Sequence, residues 1–279
     1  MRFISHLHGR TAMLWVLLGA LILSVCGAPI QATPGSAPTQ EAPGGAPTQE
    51  ASDRGAPGQD APIFRVNPAQ TGVFPSNGPT TLNELVWKFK TDSVISSSPA
   101  ITDGVVYVGS QDSRLYALDA RTGQEKWRFK IDGQVYSSPA VAGGMVYIGS
   151  NDGRLYALDA KTGQEQWTFN TGGEVASSSA VAGGMIYIGS LDGRLYALDA
   201  KTGQEKWRFK TDGEVVSSPA IAGRVVYVGS NDGRLYALDV ETGQEKWRFK
   251  TGGPVASSPA IAGGVVYFSS LDGYLYAVR

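Results

Sequence analysis

The chain has 279 residues, a net charge of −1, 36 glycines, 15 prolines and a single cysteine. Near-neutral charge supplies no basic field for nucleic acid or for an anionic membrane surface, and one cysteine excludes an intrachain disulfide. Both histidines, His6 and His8, precede an apolar N-terminal run, so beyond it the usual zinc ligand sets, a histidine general base and a Cys–His nucleophile pair are missing.

Arg2 and Arg10 lead into the apolar stretch Ala12–Val25, a cationic start followed by a hydrophobic core as in an export signal. Leu23-Ser-Val-Cys26-Gly resembles a bacterial lipoprotein cleavage box, with Val25 where a small residue is usual, and marks Cys26 for lipidation. An uncleaved anchor and plain secretion are the alternatives, and all three export the rest of the chain. Residues 1–26 are read as the signal. Residues 27–61 are rich in Ala, Pro, Gly and Thr, with Ala-Pro-Thr-Gln-Glu-Ala at 37–42 and again at 46–51. Too apolar-poor to bury a core, this stretch is expected to be a disordered tether. Residues 62–83 regain Ile63, Phe64, Val66, Val73 and Phe74 and are expected to form an ordered lead-in packed on the domain that follows.

From residue 84 the sequence repeats every forty residues. Copies begin at Val105, Met145, Met185 and Val225, with a split unit made of 265–279 and 84–104; the third and fourth copies differ at ten of forty positions. Such a period is the mark of a repeat architecture. In the second copy, Val135–Ala142, Met145–Ser150, Arg154–Asp159 and Glu165–Asn170 read as four strands, A to D. Gly143-Gly144, Asn151-Asp-Gly153 and Ala160-Lys-Thr-Gly163 are the turns between them. The Asp-Gly pairs are turn chemistry, since the alternating acidic spacing of a calcium loop is missing. Strand D alternates Trp127 and Phe129 with Lys126, Arg128 and Lys130, one face packed and one in water, whereas B and C are apolar on both faces. Four-stranded sheets that bury both faces against copies of themselves are β-propeller blades. The chain offers a D strand, Glu84–Lys90, ahead of the first full copy and lacks one after the last. If that strand completes the last blade, five blades close into a ring; an open array and a swapped oligomer remain the alternatives.

Ala117-Leu-Asp119-Ala-Arg-Thr122-Gly123-Gln-Glu-Lys-Trp127 resembles the tryptophan-docking motif of the pyrroloquinoline-quinone-type β-propeller family, and it recurs at 157–167, 197–207 and 237–247. Arg65-x-Asn67-Pro68-x-x-Thr71-Gly72 resembles the segment that opens many such domains. The resemblance implies a structural docking role for Trp87, Asp119, Gly123, Trp127, Asp159, Gly163, Trp167, Asp199, Gly203, Trp207, Asp239, Gly243 and Trp247. Enzymes of this family resemble an eight-bladed ring with a central quinone, a calcium ion and an adjacent cysteine pair. Here there is no such pair, and near-identical blades supply no cluster unique to one repeat. No catalytic, cofactor-binding or metal-binding residue is therefore assigned. The non-catalytic relatives include an exported lipoprotein scaffold of the outer-membrane assembly machinery. The expectation is an exported, membrane-tethered, protein-binding scaffold in the cell envelope that does not bind nucleic acid. A small-ligand or glycan binder and a quinone-dependent dehydrogenase are the alternatives.

A binding surface is sought where the copies disagree. Before strand A, aligned positions read Val94, Gln134, Glu174, Glu214 and Pro254; two residues on they read Ser96, Tyr136, Ala176, Val216 and Ala256. The B–C loops read Gln111, Asn151, Leu191, Asn231 and Leu271, with apolar tips at two of them. These segments are expected at one end of the blades, and the serine pairs from Ser97-Ser98 to Ser257-Ser258 are expected to line the axis.

Overall fold

A strand that is apolar on both faces has to be covered on both, and the architecture follows from that requirement. The computed structural model describes Thr81 and residues 84–279, so the expected signal, tether and all but one residue of the lead-in lie outside the described residues. The described part has no helix and consists of five antiparallel sheets. Blade 1 holds β1 (Ala100–Thr102), β2 (Val105–Ser110), β3 (Arg114–Asp119) and β4 (Glu125–Lys130). Blade 2 holds β5 (Ala140–Ala142), β6 (Met145–Gly149), β7 (Arg154–Asp159) and β8 (Glu165–Asn170). Blade 3 follows with β9 (Ala180–Ala182), β10 (Met185–Ser190), β11 (Arg194–Asp199) and β12 (Glu205–Lys210). Blade 4 has β13 (Ala220–Ala222), β14 (Val225–Ser230), β15 (Arg234–Asp239) and β16 (Glu245–Lys250), and blade 5 has β17 (Ala260–Ala262), β18 (Val265–Ser269) and β19 (Leu275–Val278).

Within each sheet the strands lie in sequence order. In blade 1 the register sets Tyr107 opposite Ala117, and Ala117 opposite Trp127, with a bulge between Ala117 and Leu118. The core lies between blades and not within them. One cluster joins Tyr107, Leu115 and Ala117 of blade 1 to Val146, Ile148, Tyr156 and Leu158 of blade 2, flanked by Trp127 and Phe129. Clusters of the same composition join blades 2 and 3, and blades 3 and 4. Each fully buried Leu contributes about 2 kcal/mol.

Strand A is shorter than the sequence suggests. Val135–Ala142 was the expected span in blade 2, but only Ala140–Ala142 pairs. Pro139 has no amide to give to a ladder, and Ser137 replaces the backbone with its side chain. Its hydroxyl donates to the Gly149 carbonyl (2.8 Å) and accepts from the Gly149 amide (2.9 Å). Here Gly149 is required for space, because a Cβ there would lie 2.4 Å from Val175 Cγ1 of the next blade.

The two ends of the array also differ from the simplest expectation. Blade 5 has three hydrogen-bonded strands among the described residues, and segment 84–90, expected as its fourth, belongs to no sheet. Instead it docks on blade 1, where Trp87 and Phe89 cover Val106, Val108, Tyr116 and Leu118. The reason lies in the D-strand pattern. Its apolar side chains reach across to the following blade, so Trp87 and Phe89 find their usual partners even without a strand C beside them.

Candidate interaction face

The docking-motif residues meet blade by blade. Trp127 Nε1–H donates to the Ala160 carbonyl at 3.0 Å, and the corresponding bonds run from Trp87 to Ala120 (2.9 Å), Trp167 to Ala200 (3.3 Å) and Trp207 to Val240 (3.0 Å). The tyrosine of strand B shares those carbonyls: Tyr107 donates to Ala160 (3.0 Å), Tyr147 to Ala200 (3.0 Å) and Tyr187 to Val240 (3.1 Å). Burial pushes each of these phenols up to about 12. A glycine lies flat on each indole. Gly163 sits at φ +71°, and a Cβ there would fall 2.7 Å from the Trp127 ring; Gly123, Gly203 and Gly243 stand in the same way over Trp87, Trp167 and Trp207.

Asp119, Asp159, Asp199 and Asp239 organise the C–D turns. Each carboxylate accepts the amide and the hydroxyl of the threonine three residues on, at 2.9 and 2.9 Å for Thr122. Asp119 and Asp199 are held below the usual carboxylate range chiefly by the threonine hydroxyl, Asp159 chiefly by the threonine amide. Asp239 is lowered to about 2, first of all by Lys246.

The sequence reading did not single out the aspartates of the B–C loops. Asp112 accepts from Tyr116 Oη at 2.7 Å and from the Asp92 amide at 3.0 Å, so one side chain ties its own blade to the linker entering it. Tyr156 with Asp152, Tyr196 with Asp192, Tyr236 with Asp232 and Tyr276 with Asp272 repeat the contact. The signal was present as Asp-x-x-x-Tyr or its equivalent in every copy. Read only as turns, these loops concealed a cross-link.

The second serine of each pair links neighbouring blades. The Ser98 amide donates to Ser138 Oγ, Ser138 to Ser178, Ser178 to Ser218 and Ser218 to Ser258, at 2.9–3.1 Å. These hydroxyls are thereby committed to structure.

The variable positions are joined in pairs by backbone hydrogen bonds between the B–C loop and the linker before strand A. Gln111 donates to the Val94 carbonyl, Asn151 to Gln134, Leu191 to Glu174, Asn231 to Glu214 and Leu271 to Pro254, at 2.8–3.0 Å. Side chains extend the link: Gln111 Nε2 to Ser96 (3.3 Å), Tyr136 Oη to Gln134 (2.9 Å) and Asn231 Nδ2 to Glu214 (3.2 Å). Val94 and Leu271 are exposed, while Gln134, Tyr136, Asn151, Leu191, Glu214, Val216 and Asn231 are half-buried. Glu174 is raised by desolvation and then by Glu214, and Tyr136 by desolvation and then by Glu174, which places the three in one electrostatic neighbourhood. Beside them an open cleft of about 390 Å³ is lined by Leu191, Asp192, Lys210, Asp212 and Glu214. Among the described residues, no three His, Cys, Asp or Glu side chains gather as a metal site.

No curated protein matches the sequence. Among solved structures, BamB from Moraxella catarrhalis is 26% identical with a TM-score of 0.63, over 70% of this chain and 61% of that one. Quinohemoprotein alcohol dehydrogenases share the fold at lower identity. The one from Comamonas testosteroni is 22% identical with a TM-score of 0.65, over 79% of this chain and 47% of its own length. The enzyme ADHIIG from Pseudomonas putida HK5 is 23% identical with a TM-score of 0.61, over 69% and 41%. This chain thus spans about three-fifths of the first and under half of the two enzymes. The model of the outer membrane protein assembly factor BamB matches residues 81–182 and 171–279, which take in every blade described above, and the chain belongs to that family.

Proposed function

We propose that this protein is an exported, non-enzymatic scaffold of the cell envelope, held to a membrane through Cys26 or the apolar run before it, and that it binds a partner protein through the rim formed by the linkers before strand A and the B–C loops. The observation that carries this reading is the backbone bond joining linker to loop in each blade. It holds several of the side chains that differ between copies on a pre-organised edge, where contacts lose little entropy on binding. Tyr136, Leu191 and Leu271 supply apolar area, and Glu174 with Glu214 supplies an acidic patch that favours a basic region on the partner.

The serine pairs expected along the axis are poorly suited to a quinone with its calcium. The serine hydroxyls there already serve neighbouring amides, and the described residues offer no acidic cluster to hold the ion. The family membership and the kinship with BamB support a scaffold more directly than they support a dehydrogenase.

The test is a crosslinking pull-down from native membranes with the unaltered chain and with a Tyr136→Ala/Leu191→Glu variant of unchanged thermal stability. A partner recovered reproducibly with the first and lost with the second is the expected result. Equal recovery with both removes the rim from the account, and no reproducible partner removes the scaffold.

A further inference from the structure

In three blades the linker that enters the blade brings a carboxylate to the arginine at the start of strand C. Arg114 Nη1 lies 3.0 Å from Asp92 Oδ2, Arg154 Nη1 3.1 Å from Asp132 Oδ2 and Arg234 Nη1 3.4 Å from Asp212 Oδ2. In blade 5 both charges are replaced together, with Gly252 in the linker and Tyr274 where the arginine would stand. Blade 3 breaks this rule, since it keeps Arg194 but has Gly172 in place of the acid. The guanidinium there turns back on its own loop. Its Nη1 is 2.9 Å from Asp192 Oδ2, where the corresponding contacts to Asp112, Asp152 and Asp232 are 3.6, 3.9 and 3.6 Å. Two carboxylates therefore act on each of Arg114, Arg154 and Arg234, and one on Arg194.

The fold does not ask for this glycine. Gly172 lies outside the left-handed region. Its amide donates to Asp192 at 3.0 Å, just as the Asp92 amide donates to Asp112 at 3.0 Å and the Asp212 amide to Asp232 at 3.1 Å. What the glycine removes is charge. Arg194 stands directly opposite Lys210 across β11 and β12, and like charges in that relation repel. Arg114 faces Lys130 and Arg234 faces Lys250 in the same way, each with its linker aspartate in contact, while Arg154 faces the neutral Asn170. Among the described residues, blade 3 is thus the place where a facing pair of cations lacks a linker carboxylate. Lys210 is exposed, and Arg194 keeps 33% of its side chain in water. The nearby Asp212 is already held by Arg234.

We propose that Arg194, supported by Lys210, is a recognition site for an Asp or Glu carboxylate of a partner protein, bound over Gly172 where the other blades carry their own aspartate. Gly172 is two residues from Glu174 and Arg194 three from Leu191, so this role rests on the rim being the protein-binding surface. Asp192 does not have to leave, because Arg114 shows one guanidinium of this position serving two carboxylates at once. A guanidinium also offers a carboxylate parallel N–H donors, which gives the contact direction as well as charge. Glu174 and Glu214 repel an acid placed elsewhere on the rim, so the partner segment that fits carries its acid at one point and its basic residues beside it.

The test titrates the isotope-labelled full chain in detergent with the capped peptide acetyl-Gly-Glu-Gly-amide and follows the arginine Nε–H signals. The Arg194 signal is expected to move at about fivefold lower peptide concentration than those of Arg114, Arg154 and Arg234, the scale of one partly exposed ion pair. The matching glutamine peptide is expected to move none of them. Gly172→Asp supplies the carboxylate from within and should bring Arg194 level with the other three. Gly252→Asp makes the same change where no arginine waits and should leave the Arg194 response as it was. In the pull-down from native membranes, Gly172→Asp is expected to lower partner recovery about fivefold and Gly252→Asp to preserve it. An Arg194 response no stronger than the other three overturns the proposal. A partner recovered equally with Gly172→Asp, while Tyr136→Ala/Leu191→Glu loses it, also overturns this site but leaves the rim standing. An Arg194 preference with no partner recovered by any chain removes the scaffold and, with it, the assignment of the carboxylate to a protein.

Discussion

Trp207 and Trp247 hold the same place in consecutive repeats but not the same surroundings, and the contrast can be expressed as a free energy. Trp207 is 9% exposed, donates to the Val240 carbonyl at 3.0 Å and lies under Gly243. Trp247 is 36% exposed and has no acceptor among the described residues. The difference is about a quarter of an indole side chain of roughly 250 Å², or ~65 Å², which at ~25 cal/mol/Å² is about 1.6 kcal/mol. The hydrogen bond adds about 1 kcal/mol. Trp207→Ala should therefore cost about 2.5 kcal/mol more than Trp247→Ala, the former approaching the ~3–5 kcal/mol of a buried aromatic truncation. Urea unfolding followed by circular dichroism measures both, with equal m-values as the check that the same transition is compared. If the two variants lose the same stability to within about 0.5 kcal/mol, junction burial is not what makes this tryptophan matter.

Gly163→Ala forces a Cβ against the Trp127 ring at φ +71°, whereas Gly143→Ala, at φ +58°, meets nothing within 4 Å. The second should cost about 1 kcal/mol for the left-handed backbone alone and the first at least ~1 kcal/mol more from overpacking, as read by thermal unfolding of the two variants. Ser178→Ala removes the acceptor of the buried Ser138 amide and should cost about 1–3 kcal/mol, with accelerated amide exchange at Ser138; unchanged exchange there would count against the ladder. Acid stability follows the turn aspartates. Their folded pKa values are lowered, Asp239 to about 2, so the stability they contribute is present above about pH 4 and lost as pH falls toward 2. Asp239→Asn should flatten that part of a stability–pH curve measured by chemical denaturation, and an unchanged slope between pH 4 and 2 would contradict the assignment.

Much of this molecule was legible because forty-residue identity makes each local signal visible several times. The period, the two-faced apolar strands B and C, and the alternation of Trp127 and Phe129 with charged neighbours together lead to blades and to cores lying between them. Strand A misled. A run such as Val135–Ala142 has strand-like residues, yet Ser137 and Pro139 replace ladder bonds with a hydroxyl and a missing amide, and neither substitution is visible in alternation. The Asp–Tyr fastening was hidden for another reason, since Asp-Gly is so strong a turn signal that a second role for Asp112 or Asp192 left no further mark. The rim was found only by comparing copies. Composition says where they differ, but the backbone bonds that hold those differences together depend on the folded linker.

The serine ladder has a consequence for how the native state comes apart. A blade in the middle is held on both sides by a core cluster and a serine bond, whereas among the described residues blade 5 has these on one side only. In such a linear array, stability is a sum over repeats and nearest-neighbour couplings. Opening should then travel inward from the tail like a zipper, with β17 to β19 exchanging first and blades 2 and 3 last. Sequence identity among the blades thus does not make them equivalent; position along the array gives each copy its own lifetime.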